Sequence, residues 1–161
     1  MLISPVKRVE KSIKEFDSNL KIVCLEQTAR TAQDAATAMG CNIGAIVKSL
    51  LFRVDDSFVL CLVSGDKRCS INKLKKNLDK KDVSMANPDE VKKITGYTIG
   101  GVSPVGHLNK LKIYIDSSLK RFTTVFAAAG HPNCIFEINF NNLKNLTSGE
   151  IRELTEWDSQ N

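Results

Sequence analysis

Residues 46–64 hold two apolar runs, IVKSLLFRV and FVLCLVS, separated only by Asp55-Asp56-Ser57, with the acidic pair as the turn. Both runs are rich in β-branched, aliphatic and aromatic residues, and the short polar break predicts a β-hairpin. Runs this apolar are buried on at least one face, so other elements must cover the hairpin. This pair of strands is the feature that most restricts the fold.

The flanking segments supply those elements. Ser4 caps a first helix, Pro5 suits its first position, and Val6, Val9, Ile13 and Phe16 recur at helical spacing. KIVCL reads as a strand. An alanine-rich helix follows, capped by Thr31, with Asp34 three residues on and Gly40 as its stop. After the hairpin, Ser64-Gly65-Asp66 marks a turn, and Ser70 caps a helix carrying Ile71, Leu74 and Leu78. A short VSM segment leads to Asn87-Pro88-Asp89-Glu90, which opens a helix that Gly96 ends. LKIYID, TTVFAAAG and CIFEINF are strands, SLKRF is a helical turn, and Asn142 to Leu146 is a last helix turn.

This pattern gives the α/β class in its mixed α+β form: a mixed, mainly antiparallel sheet or partial barrel surrounded by helices. The chain has 161 residues, 42% of them hydrophobic, which fits one domain over residues 1–161. Residues 1–20 form its N-terminal helix, and the polar residues 155–161 are expected to fray. No signal segment and no apolar run of roughly 20 residues is present, so a cytoplasmic location is expected. The cysteines, Cys24, Cys41, Cys61, Cys69 and Cys134, are odd in number and form no CxxC. They read as reduced core residues. No metal and no cofactor is expected.

Lys48 stands inside the first run of the hairpin. On a strand it shares a face with Ile46, Leu50 and Phe52. Burying an ammonium is costly unless it is paired or meets an anionic ligand. The alternative is that it snorkels to water at the strand's end.

Further residues carry potential chemistry. Gly100-Gly101-Val102-Ser103-Pro104-Val105-Gly106-His107 is a glycine-rich loop that could cradle a phosphate or an oxyanion, or simply be a tight turn. It matches neither the P-loop nor the dinucleotide fingerprint. His131 follows Ala127-Ala128-Ala129-Gly130, where small residues leave room for a substrate. A histidine there can donate a hydrogen bond or shuttle a proton. His107 reads better as a turn residue. Thr28-Ala29-Arg30-Thr31-Ala32 sits at a helix entry, where Arg30 meets a phosphate or is ordinary surface. The net charge of +5 is uneven, with Lys67, Arg68, Lys73, Lys75, Lys76, Lys80 and Lys81 close together. Such a run is more often a solvated face than a nucleic-acid patch.

Together, TARTAQDAATAMGC, IVKSLLF, LVSGDKR, TGYTIGGVSPVGH, IDSSLKRF and VFAAAGHP resemble the YbaK family, the prolyl-tRNA synthetase-associated editing domain. They occur in the family's order from about the second strand to the last. Only the first helix and the C-terminal tail lie outside. Ala29 departs from the family, whose freestanding members often carry a second hydroxyl there.

The resemblance implies a trans-editing deacylase that hydrolyses the ester of mischarged tRNA, above all tRNA for proline carrying alanine or cysteine. It implies that Lys48, Gly100, Gly101 and His131 are catalytic, with Lys48 on the terminal nucleotide's phosphate and loop amides on the carbonyl oxygen. The implied substrate-binding set is Thr28, Arg30, Thr31, Ser49, Gly65, Asp66, Pro104, Gly106, His107, Ala129 and Gly130. Lys67, Arg68, Lys73, Lys75 and Lys76 would guide the tRNA. The expected partners are a tRNA acceptor end and an aminoacyl-tRNA synthetase, with neither DNA nor membrane, and the chain is expected to be a monomer. The rival readings are a non-catalytic tRNA- or synthetase-binding module and a small-molecule-binding protein.

Overall fold

The structure, a computed structural model, describes residues 4–26 and 31–158. Its elements run α1 (Ser4–Phe16), β1 (Ile22–Cys24), α2 (Ala32–Met39), β2 (Ile46–Val54), β3 (Ser57–Ser64), β4 (Lys67–Cys69), α3 (Ile71–Leu78), β5 (Val83–Met85) and α4 (Pro88–Thr95). They continue with β6 (Lys112–Asp116), β7 (Thr124–His131), β8 (Cys134–Asn139), α5 (Phe140–Thr147), β9 (Glu150–Arg152) and β10 (Thr155–Trp157). The mixed α/β class read from the sequence is the class observed.

The main sheet has the order β1-β8-β7-β2-β3-β6-β9, with β5 also on β2. The pairs β1–β8, β8–β7, β2–β3 and β2–β5 are antiparallel. The pairs β7–β2, β3–β6 and β6–β9 are parallel. The predicted hairpin is its centre, and β3 has neighbours on both edges and cover on both faces. Leu60 and Leu62 join one core with Val6, Val9, Ile13 and Leu51. Val59, Cys61 and Val63 join another with Phe52, Leu74 and Leu154. Strand alternation thus divides one continuous apolar run between two cores.

Local chemistry sets the helix ends. Thr31 accepts from the Asp34 amide at 3.0 Å, and Gly40 takes a left-handed φ of 66°. Asn87 and Glu90 complete a reciprocal capping box. Helix α1 reaches across the fold to the glycine-rich loop. Arg8 donates to the carbonyls of Gly106 and Gly96, each at 3.1 Å, and its guanidinium lies 4.9 Å from the Tyr97 ring centroid.

Two local expectations change, and the VSM segment, to which the sequence assigns no element, gains one. The VSM segment is a strand, because its backbone completes the edge of β2 at Phe52–Val54. The C-terminal segment is paired through Trp157: β10 runs antiparallel to β4. Buried Asp116 anchors that segment, accepting from the Leu154 amide at 2.7 Å and the Thr155 hydroxyl at 2.8 Å. The cysteines are not all reduced core residues, since Cys24 and Cys134 form a disulfide. Cys24 ends an edge strand and is exposed, directly opposite Cys134 in the β1–β8 register.

Candidate functional site

The strands beside β2 leave a gap. On one edge, β7 pairs only with Ile46 and Val47, and β5 pairs only with Phe52 to Val54. Between them the Ala86 amide donates to Leu51 O at 3.0 Å. A cavity of about 350 Å³ opens at this stretch. Its walls are largely apolar, from Val47, Leu51, Ala86, Val91, Val102 and Ala127, and Lys48, Ser49 and Thr31 bring polar groups to it. The volume lies at the small end of the range for ligand pockets.

Lys48 lies between two apolar clusters, Ile46 joining one with Ala35 and Phe126, and Phe52 the other. Its ammonium donates to the main-chain carbonyl of Lys67 at 2.5 Å. Burial pushes its pKa below the ordinary 10.5, against the opposing pull of the Asp158 and Asp66 carboxylates. The Lys67 carbonyl carries no net charge, so the only compensation this bond gives the ammonium is a hydrogen-bond acceptor.

Ser49 points to the other face of β2 and also reaches the cavity. Its hydroxyl oxygen is buried and has no hydrogen-bond partner among the described residues, a costly arrangement unless a ligand or water completes it. Strand geometry adds a second handle. The carbonyl of Leu51 faces the open edge, so the N–H and C=O of Ser49, two residues back, face it too.

The glycine-rich loop contributes unevenly. Gly100 has a φ of 93° and lines the cavity. Gly101 does not offer its amide as an oxyanion donor, because that N–H donates to Thr98 O at 2.9 Å. Its lack of a side chain serves packing, since a Cβ there would meet the His131 backbone at 2.9–3.1 Å. Pro104 is buried, and Gly106 accepts from Arg8 and, at 2.9 Å, from the Tyr97 hydroxyl. Burial pushes that hydroxyl up to about 12, against the lowering effect of Arg8. His107 lies off the cavity walls. Its Nε2 meets Ser103 O at 2.7 Å, and its ring packs edge-on to Tyr97. Burial lowers its pKa below 6.5, a trend that the Ser103 contact opposes and Arg8 reinforces.

His131 lies beside the cavity rather than in its wall, while its neighbours Ala128 and Pro132 line it. Its Nδ1 accepts from the Asn133 amide at 3.3 Å, which leaves the proton of the neutral ring on Nε2. Ala129 is buried in the core. Gly130 packs against the Pro5 carbonyl, 2.8 Å from where a Cβ would stand. Gly65 is equally confined, with Ile43 O at 2.3 Å from its would-be Cβ. Asp66 is held by Arg121 at 2.7 and 3.0 Å. Thr28 and Arg30 lie outside the described residues.

Of the basic residues, Arg68 pairs with Glu156, and Lys73 donates to Thr155 O at 2.7 Å. Lys75 and Lys76 line a shallow depression on α3 with Lys80 and Lys81. Lys67 faces Trp157. Sequence reasoning missed Met85, Ala86, Val91 and Ile99 in the cavity. Met85 and Ile99 are large apolar residues that stay about 60% exposed, at 59% and 61%, which marks a rim rather than a core. Among the described residues, no helix is long and apolar enough to cross a membrane.

A small, largely apolar cavity has Lys48 at its strand edge, an arrangement suited to a compact apolar group tethered to an anion. Comparisons with known proteins show the family. A family model, the aminoacyl-tRNA editing domain, matches residues 26–146, and the chain belongs to this family. It is 31% identical to the uncharacterized protein YwhH of Bacillus subtilis (strain 168), over 91% of this chain and 93% of that protein. It is 26% identical to the proline–tRNA ligase of Listeria innocua serovar 6a over 92% of this chain, spanning 28% of the ligase. A crystal structure described as a candidate trans-editing enzyme for prolyl tRNA synthetase superposes with a TM-score of 0.91. That protein is 36% identical, with 97% of this chain and 99% of that chain covered.

Proposed function

We propose that this chain is a trans-editing aminoacyl-tRNA deacylase acting in the cytoplasm on tRNA for proline that carries a small wrong amino acid, alanine or cysteine. The observation that carries this reading is Lys48, a cation at the open edge of β2 beside an apolar cavity of about 350 Å³. An aminoacyl ester at a tRNA end combines the two things such a pocket takes, a small side chain and a nearby phosphate.

In this reading the amino-acid side chain enters the cavity between Leu51, Ala86 and Val102. Lys48 holds the phosphate of the terminal nucleotide. The ester carbonyl lies at Gly100, where the Ser49 hydroxyl and main-chain N–H offer donors as charge develops on oxygen. The ester is already activated, so a placed water suffices without a covalent nucleophile. The neighbouring ribose hydroxyl helps to direct that water, and His131 Nε2–H orients the substrate. Water adds to the carbonyl carbon, and the ester C–O bond breaks to release free amino acid and the tRNA hydroxyl. The basic face of α3 guides the acceptor end. A synthetase partner accords with the kinship to proline–tRNA ligases.

A second hydrolytic site has a physical purpose, because a binding pocket separates substrates one methylene apart by only about 1–3 kcal/mol. The test is a deacylation panel of tRNAs charged with alanine, cysteine, serine and proline. Release of alanine or cysteine above the buffer rate, with prolyl-tRNA spared, supports the reading. Background rates for the whole panel would refute it.

A further inference from the structure

Trp157 is the only tryptophan of the chain and lies beyond the span matched by the editing-domain family, residues 26–146. Its side chain is unusually open for an indole, with the residue 64% exposed. Its mount is firm. The Asp116 carboxylate fixes Leu154 and Thr155, the Ser70 amide donates to Leu154 O at 2.8 Å, and Lys73 donates to Thr155 O. Strand β10 then pairs with β4 and places Trp157 directly opposite Lys67.

Two cations attend the ring. Lys67 Nζ lies 3.4 Å from its centroid, and the Arg121 guanidinium lies 5.4 Å away. Arg121 is paired with Asp66 and Arg68 with Glu156, and Asp158, next in the chain, acts electrostatically on Lys48 and Arg68. Lys67 is the nearer of the two cations at the ring. Lys67 also links the ring to the site, because its carbonyl accepts from the Lys48 ammonium. Lys67 lies over one face of the ring, and an indole that is still 64% exposed has surface left on which an unpaired base can stack, with a phosphate near the cation.

We propose that Trp157 is a stacking platform for the terminal base of the tRNA acceptor end. The proposal rests on the deacylase reading and deepens it. The reactive ester and the terminal base belong to one ribose. With the terminal nucleotide's phosphate on Lys48, the base lies within one nucleotide of it, and Trp157 is the aromatic ring one strand pairing away. The C-terminal ribbon therefore gives the pocket a contact that grips the end of the RNA whatever amino acid it carries.

The single tryptophan makes the test direct. A tRNA acceptor-stem hairpin ending in CCA is compared with the same hairpin carrying an abasic terminal ribose. Tryptophan fluorescence reports stacking, and anisotropy of a hairpin label reports binding. The complete hairpin should quench Trp157 and bind roughly tenfold more tightly than the abasic one. Trp157→Ala should erase that difference, and Trp157→Phe should restore most of it. On mischarged tRNA, the loss in Trp157→Ala should fall on KM more than on kcat. Equal quenching by both hairpins, binding without quenching, or an equal loss for both hairpins in Trp157→Ala would overturn the platform. An unchanged KM in Trp157→Ala, with the wild type active, would overturn it while leaving the deacylase reading intact. An inactive wild type that still binds and is quenched by the complete hairpin alone would refute the deacylase reading and keep the platform.

Discussion

The ammonium of Lys48 donates to the carbonyl of Lys67, so the cation of β2 is held by the first residue of the β4 ribbon. The bond fixes the side chain's direction without neutralising its charge. It also joins the open edge of β2 to the segment that carries Trp157.

Holding that charge in a half-buried place costs stability. Burial lowers the folded-state pKa of Lys48 below 10.5, so the unfolded chain binds the proton more tightly. The penalty is full at neutral pH and is relieved as pH rises through the folded value towards 10.5. Lys48→Met should therefore fold more stably than the wild type at pH 7, read as a higher urea midpoint. A lower midpoint would show that the ammonium contributes more through its carbonyl bond than it loses through burial.

Gly101 is needed for space. Alanine there would press on the His131 backbone at 2.9–3.1 Å, and backbone cannot turn aside as a flexible side chain can. Gly101→Ala should cost about 1–3 kcal/mol, a fall of roughly 3–10 °C in Tm. A calorimetric Tm equal to that of the wild type would mean that this contact is loose.

The Cys24–Cys134 disulfide closes a sequence separation of 110 residues. Loops of that length restrict the unfolded chain strongly, so Cys24→Ser should lose about 2–4 kcal/mol in non-reducing buffer. Excess thiol should lower the urea midpoint of the wild type to that of the variant. A midpoint indifferent to thiol would show that the bond does not form in solution.

His107 supplies a pH dependence of stability. Its folded pKa is below the ordinary 6.5, chiefly through burial. The neutral ring is thus favoured in the folded state. Its contribution is present above pH 6.5 and is lost as pH falls through the folded value. Urea midpoints measured from pH 7.5 down to 5 should fall, and less steeply in His107→Phe. Equal slopes would place the acid sensitivity elsewhere.

What the sequence disclosed was local. The caps at Thr31, Ser70 and Asn87 follow from side chains that bond amides three residues on. The face of Lys48 follows from the two-residue period of a strand. What it concealed depends on distant pairing. Nothing near Lys48 tells that β7 and β5 stop short on either side and leave a gap. Nothing in GGVSP tells that the Gly101 amide turns back to Thr98. Cys24 and Trp157 look like a core cysteine and a frayed end until Cys134 and Lys67 stand opposite them.

The most direct measurement is the single-turnover rate of alanine release from mischarged tRNA for proline, with wild type and Lys48→Ala side by side. The wild type should exceed the buffer rate, and Lys48→Ala should be slower by roughly 10²-fold or more if its charge acts on the reacting end. A Lys48→Ala rate equal to that of an active wild type would contradict the central place given to this lysine.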